Sequence, residues 1–240
     1  MGSIQFNPVC VNFQKKIRDY FGWKLEDDEI VLNWLKNKIC SFSIKWNEAS
    51  REKYLEDLII KIKSNDDFIV IGANISKKEI MDLPKNTPLV VADGAIGAIM
   101  SFNEALIKNV ICLMSDGDGL PYIKNNKIKN LTIILHAHGH AQKNLEHVLS
   151  IWKAWNPVPK VIISHQTPIS SKGAYNFGGF SDGDRGVCLL HSLGVPKNKI
   201  NILGFNSNKI GSWGGLSNSK IKHQKLKWMG EILNSLGYEI

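Results

Sequence analysis

Hydrophobic spacing divides this chain into two textures. From Glu26 to Ile39 the apolar residues Ile30, Val31, Trp34, Leu35 and Ile39 recur at helical intervals behind an acidic first turn. Asn47 to Ile62 repeats the pattern with Tyr54, Leu55, Leu58, Ile59 and Ile62. This spacing predicts a helical cap over residues 1–66, with Trp23, Trp34 and Trp46 read as its core. From Phe68 onward short, wholly apolar runs recur instead: FIVIGAN, PLVVADG, VICLMSDGDG, LTIILHAHGH, KVIISHQT and INILGFN. Helical stretches separate most of them, at Ala95 to Ile107, Ala141 to Trp152 and Asp182 to Leu193, and a lysine-rich helix is expected from Ser217 to Leu236. Uniformly apolar strands alternating with helices predict an α/β fold over residues 67–240. The expected form is a mostly parallel, Rossmann-like sheet with helices on both faces. In such sheets ligands bind outside the carboxyl ends of the strands. Nearly every chemically interesting residue here directly follows a strand.

Composition narrows the class. With 43% hydrophobic residues in 240, the chain is long and apolar enough to bury a core. No run approaches the roughly 18 consecutive apolar residues of a membrane helix, and the start MGSIQFNPVC lacks a signal-peptide core. Gly2 suggests a myristoylation site, but Phe6 stands where that motif wants Ser or Thr. Cys10, Cys40, Cys112 and Cys188 form no CxxC pair and read as buried thiols in a reducing cytoplasm. The net charge of +8 comes from lysines spread along the chain rather than clustered with aromatics, which argues against nucleic acid as the partner. Against that lysine background stand only Arg18, Arg51 and Arg185. Arg185 falls inside a polar motif, where a guanidinium forks onto phosphate as lysine does not.

The strand ends carry the candidate chemistry. Gly72-Ala73-Asn74-Ile75-Ser76 is a glycine turn opening a helix, the kind of place where backbone N–H groups meet an anion. There is no P-loop and no full GxGxxG after a strand. Asp93-Gly94 ends the second strand and Asp116-Gly117-Asp118-Gly119 the third. A single Asp-Gly is an ordinary turn. Acidic turns at successive strand ends favour a divalent metal, with substrate phosphate completing its shell. His136-Ala137-His138-Gly139-His140 ends the fourth strand and His165 the fifth. These histidines open two readings, a zinc hydrolase or donors to phosphate oxygens. Asn176 to Arg185, NFGGFSDGDR, is the strongest motif. Its glycine pair is read as permitting close approach to a ligand, and Ser181 or Asp182 as a helix cap.

Together, FSDGDR after a glycine pair, HAHG after a strand, the strand-end ADG and the DGDG turn resemble the archaeal-type 6-hydroxymethyl-7,8-dihydropterin pyrophosphokinase family. The resemblance runs from about Phe68 to the lysine-rich end, including KLKW at Lys225 to Trp228. One departure is His140, where the family's pattern after HAHG has an acid. The family is similar in fold to the catalytic domain of thiamine pyrophosphokinase. The resemblance implies Mg²⁺-dependent transfer of the diphosphate of ATP to a reduced pterin, with AMP released, in folate or methanopterin-type cofactor synthesis. The partners implied are ATP and the pterin, with self-association left open. On this reading Asp116 and Asp118 hold the metal, and Asp184 and Arg185 join them in catalysis. Asn74, Ser76, His138, His165, Arg185, Lys222 and Lys225 hold nucleotide and phosphate, while Asp93, Phe180 and Asp182 meet the acceptor. The rival readings are a thiamine-type diphosphokinase and the zinc hydrolase.

Overall fold

The computed structural model describes residues 7–214 and 219–240; Gly2 and Ser217 lie outside the described residues. Three helices come first: α1 (Pro8–Phe21), α2 (Leu25–Phe42) and α3 (Glu48–Lys63). Then follow β1 (Phe68–Ile71), α4 (Lys77–Met81), β2 (Leu89–Ala92), α5 (Ile96–Phe102), β3 (Val110–Ser115), α6 (Leu120–Ile123) and β4 (Thr132–Ala137). The chain continues through α7 (Gln142–Trp152), β5 (Lys160–His165), β6 (Ala174–Tyr175), α8 (Asp182–Ser192), β7 (Ile200–Leu203) and α9 (Ser219–Ser235). The strands form a 7-stranded sheet in the order β6-β5-β4-β3-β2-β1-β7. All its pairings are parallel. The expected α/β architecture is therefore the observed one.

Alternation along each strand builds two cores. Ile71, Val91, Leu113, Ile133 and Ile163 pack with Leu35 and Ile39 of α2, Ile99 of α5 and Leu149 of α7. The intervening residues Val70, Val90, Met114, Ile134 and Ile162 pack with Leu58 and Ile62 of α3, Val187 of α8 and Met229 of α9. Burial on both faces is why the strands read as unbroken apolar runs. The helical N-terminal region thus covers both sides of the sheet, α2 on one and α3 on the other.

Several features differ from the sequence expectation: no apolar run announces the short edge strand β6, and Cys40, read as buried, is exposed. Helix α1 escapes hydrophobic periodicity because its buried face carries Gln14 and Arg18 beside Cys10 and Ile17. The helix expected over Ala95 to Ile107 stops at Phe102, where Asn103 leaves helical geometry, and the chain continues as a 3₁₀ turn over Glu104–Asn109. The winding β1 to β6 proceeds in one direction, and α8 then carries the chain back across the opposite face to β7 beside β1. The turns after β1 to β4 and the start of α8 consequently gather at one edge.

Candidate active site

A cavity of about 150 Å³ opens at this carboxyl edge, lined by Asn74, Asp93, Asp116, Asp118, His138, Phe180, Asp182, Arg185 and Lys225 among others. Oxygens of Asp93, Asp116, Asp118 and Asp182 lie within 4.8 Å of one another. Backbone geometry makes this convergence achievable. A Cβ on Gly119 would meet Asp93 Oδ1 at 2.0 Å, so only glycine lets Asp93 come against the DGDG turn. The Asp93 Oδ2 then accepts from Ser115 Oγ at 2.8 Å and Gly119 N at 3.0 Å.

Four acids so close change one another's protonation. Burial and the charges of Asp118 and Asp116 push Asp93 well above the usual carboxylate range. Burial, with Asp116, Asp93 and Asp118 nearby, does the same to Asp182. Burial and Asp116 push Asp118 up to about 7, against the pull of Lys225 and Lys222. Asp116 goes the other way. Burial would raise it, but His138 Nε2 at 3.1 Å and the charges of His138 and Lys225 hold it low. Three of the four carboxylates are therefore protonated more readily than free aspartate, the mark of a site short of positive charge.

The motif NFGGFSDGDR divides its labour. Asp184 is fully buried and faces inward. Its oxygens accept from Phe180 N at 2.5 Å, Ser181 N at 2.8 Å and the Ser181 hydroxyl. Asp184 is thus the third helical residue of a capping box with Ser181, and Asp182 alone of the pair reaches the cavity. The glycine pair also serves the protein's own packing. Both residues have positive φ, 83° at Gly178 and 79° at Gly179. Added Cβ atoms would meet Cys10 Cβ at 2.3 Å and Arg185 Cα at 2.8 Å. The pair lets α1 and Arg185 approach, where the sequence reading placed a ligand.

Arg185 is buried yet lines the cavity. Its guanidinium contacts His136 Nδ1 at 3.1 Å and donates to Gln166 Oε1 at 2.9 Å. Burial lowers its pKa, and Asp184, Asp182, Asp116 and Asp28 oppose that shift. Behind it, Gln166 Nε2 donates to both oxygens of Asp28, at 3.0 and 2.9 Å. Asp28 also accepts from Gly139 N at 2.8 Å and lies 3.6 Å from Arg18, which donates to Gln166 O at 2.9 Å.

Several expected residues lie elsewhere. Ser76 caps α4, bonded to Glu79, and does not line the cavity. The neighbouring N–H groups of Gly72, Asn74 and Ile75 are spent on Leu203, Gly204 and Gly72 carbonyls, so this turn is closed to an anion at those positions. His165 is buried and accepts from Thr167 N at 3.2 Å, and burial pushes its pKa down to about 4. The β4–β5 register pairs His136 with Ser164 and Ala137 with His165, so His136 and His165 project from opposite faces of the sheet. They cannot share a zinc ion. Among the described residues the converging group of potential metal ligands is the aspartate quartet, with no histidine in it. Lys222 is not a lining residue, but its charge acts on Asp118. Lys225 sits 5.8 Å from the ring centroids of both Trp23 and Phe180. Trp23, read from sequence as core, is half-buried and lines the cavity 6.0 Å from Phe180, backed by Phe21 stacked at 4.5 Å.

Three curated proteins are similar to this chain in sequence, each called 6-hydroxymethyl-7,8-dihydropterin pyrophosphokinase. The one from Methanocaldococcus jannaschii is 29% identical over 192 residues, 77% of this chain and 74% of the relative. The one from Pyrococcus furiosus is 26% identical over 205 residues, 84% of this chain and 78% of the relative. The one from Methanothermobacter thermautotrophicus is 32% identical over 137 residues, and the match spans 55% of each chain. The chain resembles the archaeal 6-hydroxymethyl-7,8-dihydropterin pyrophosphokinases. No family model and no solved structure matches it. The similarity agrees with the resemblance carried by ADG, DGDG, HAHG and FSDGDR, and neither rival reading is named among these relatives. No helix among the described residues is long and apolar enough to cross a membrane.

Proposed function

We propose that the protein is a Mg²⁺-dependent diphosphotransferase that moves the diphosphate of ATP onto the hydroxymethyl group of 6-hydroxymethyl-7,8-dihydropterin and releases AMP. The step belongs to folate or methanopterin-type cofactor synthesis. The observation that carries this reading is the convergence of Asp93, Asp116, Asp118 and Asp182 within 4.8 Å. They share the cavity with Arg185, His138 and Lys225. The donor set fits the metal. It is all oxygen, as magnesium prefers, one or two of the carboxylates suffice beside phosphate and water, and the raised affinity of Asp93, Asp118 and Asp182 for protons reports a deficit of positive charge. Asp116 and Asp118 would hold the ion, with Asp93 and Asp182 beside them. Bound there, magnesium would offset phosphate charge and polarise the transferred group.

The chain's own residues position the reactants, which is most of what phosphoryl transfer asks of a protein. The acceptor hydroxyl gives up its proton to solvent as its oxygen bonds to the β-phosphorus, the bond from that phosphorus to the α–β bridging oxygen breaks, and AMP leaves with the electron pair. Arg185, held from behind by Gln166, directs its charge at phosphate oxygens, and Lys225 and Lys222 add two more cations near Asp118. His138, fixed on Asp116, borders the same space. Asn74 lies on the nucleotide side, at the switch between β1 and β7 where α/β sheets bind ligands. Phe180 and Trp23 form the aromatic wall against which a flat pterin stacks.

The test is an assay of purified protein with ATP and Mg²⁺, supplied in turn with 6-hydroxymethyl-7,8-dihydropterin, thiamine or no acceptor. AMP is expected with the pterin alone and only with divalent ion. ADP as the main product would overturn the reading, and AMP formed with thiamine alone would move the acceptor to the thiamine class.

A further inference from the structure

Gln166 lies between two groups that leave its amide no choice of orientation. A guanidinium can only donate and a carboxylate can only accept. Arg185 therefore requires the Gln166 oxygen, at 2.9 Å, and Asp28 requires its nitrogen, at 3.0 and 2.9 Å. The amide dipole is locked with its negative end on Arg185. The lock is buried: Asp28, Gln166 and Arg185 are 4%, 5% and 4% exposed. The second oxygen-side duty of Asp28 is the Gly139 N–H at 2.8 Å, in the turn that carries His138 onto Asp116. Arg18 of α1 closes the set, 3.6 Å from Asp28 and 2.9 Å from the Gln166 carbonyl oxygen.

We propose that Asp28 and Gln166 are positioning residues that aim Arg185 at the phosphate chain, so that the helical N-terminal region is a working part of the phosphate site. This rests on the diphosphotransferase reading only in taking Arg185 to bind nucleotide phosphate. The geometry favours a positioning role over simple packing for two reasons. An apolar residue of the same volume would fill the space at Gln166 without the cost of burying an amide. And a free arginine loses several rotatable bonds on meeting phosphate, whereas an arginine already held on its far side keeps that cost low. One acceptor on Arg185 is an imidazole nitrogen and the other an amide oxygen, neither of them charged. The charge of the guanidinium thus stays available to an anion in the cavity it lines.

The experiment is a double-mutant cycle of Gln166→Met and Arg185→Lys. It reads kcat/KM for ATP and, independently, calorimetric affinity for a non-hydrolysable ATP analogue with Mg²⁺ and no acceptor. Methionine keeps the volume and removes the hydrogen bonds to Asp28 and from Arg185. Gln166→Met alone should weaken both quantities about tenfold (about 1.4 kcal/mol), and should change them less than about twofold when Lys already stands at 185. Rescue by Gln166→Asn is not expected, because the shorter side chain cannot span both partners. Equal effects of Gln166→Met in both backgrounds would overturn the relay, as would full analogue affinity in Arg185→Lys. A coupled cycle in analogue affinity, with no AMP formed from any pterin, would keep the relay and discard the acceptor assignment. Should Gln166→Met fold poorly, Asp28→Asn provides the second arm. It puts an NH₂ donor opposite the Gln166 nitrogen, so the amide is no longer held from behind, and the same loss of coupling is expected.

Discussion

Asp182 and Asp184 stand two residues apart at the start of one helix, and they live in opposite surroundings. Around Asp184 every group is a donor: Phe180 N, Ser181 N and the Ser181 hydroxyl. Around Asp182 burial and the negative charges of Asp116, Asp93 and Asp118 outweigh the pull of Arg185. The same contrast runs through the whole cavity. On one side Asp28, Gln166 and Arg185 meet complementary partners. On the side of the quartet, like charges face one another within 4.8 Å. A fold does not gain stability from such a cluster. The satisfied side reads as scaffold, and the frustrated side as the place where a ligand supplies what the chain lacks.

Neutralising the frustrated side should have the largest effect on catalysis. Asp182→Asn and Asp118→Asn are expected to lower kcat/KM by at least about a hundredfold, about 2.7 kcal/mol or more of transition-state stabilisation. In the metal-free protein the same changes should raise the melting temperature, because each removes one of four crowded carboxylates. Steady-state rates beside melts in EDTA check both halves. Variants that lose stability, or that keep near-normal turnover at saturating Mg²⁺, would break the contrast.

Asp184→Asn is the converse and ranks second. An amide offers one acceptor oxygen where two are used, and it turns an NH₂ toward a backbone N–H. The expected cost is about 1–3 kcal/mol of stability, with kcat within a few-fold of wild type at a temperature where the variant is folded. A chemical denaturation curve measures the first and the AMP assay the second. A hundredfold fall in kcat at full stability would return Asp184 to the catalytic group in which the sequence placed it.

What the sequence could reveal followed from distance along the chain. The acidic turns were legible because each acid sits directly after an apolar run, and the parallel sheet brings the ends of those runs together. Asp184 was misplaced with Asp182 because a capping box and a ligand site both use acids at a helix start. Only the rotation of two residues about the helix axis separates them. Trp23 and Asp28 were illegible for a different reason. The Asp28–Gln166 contact joins residues 138 apart, and no local pattern marks either end. The arginine signal was half right. Arg18, Arg51 and Arg185 are all buried, at 9%, 2% and 4% exposure. Arg51 donates to carbonyls, at Trp46 O (2.6 Å) and Gly173 O (3.3 Å). Arginine in this lysine-rich chain therefore marks burial, where a guanidinium with several donors can be satisfied. Facing the cavity is what sets Arg185 apart.

The smallest expected effect is also the most direct reading of the frustrated side. An acid whose pKa rises on folding binds protons more tightly in the native state. Stability then falls as pH rises between the unfolded and folded values. For Asp118 the window runs from about 4 up to about 7, and Asp93 and Asp182 act in the same direction. His136, His165 and His191, all pushed down by burial, act oppositely. Their folded states bind fewer protons, so their effect raises stability with pH and fades only about one pH unit above the unfolded imidazole value of about 6.5. Between pH 6.5 and 8 the two effects oppose each other in the wild type, and the difference from Asp118→Asn, which keeps the histidines, isolates the carboxylate. Relative to that variant the metal-free wild type should lose about 1 kcal/mol across the interval. Magnesium binds the ionised form, so its stabilising effect should grow over the same interval as protons leave the site. Denaturation at pH 6.5, 7.25 and 8, with EDTA and with Mg²⁺, provides the check. A wild type that loses no stability relative to Asp118→Asn in EDTA would show that the four carboxylates do not repel one another in the folded protein, and the contrast between Asp182 and Asp184 would lose its physical basis.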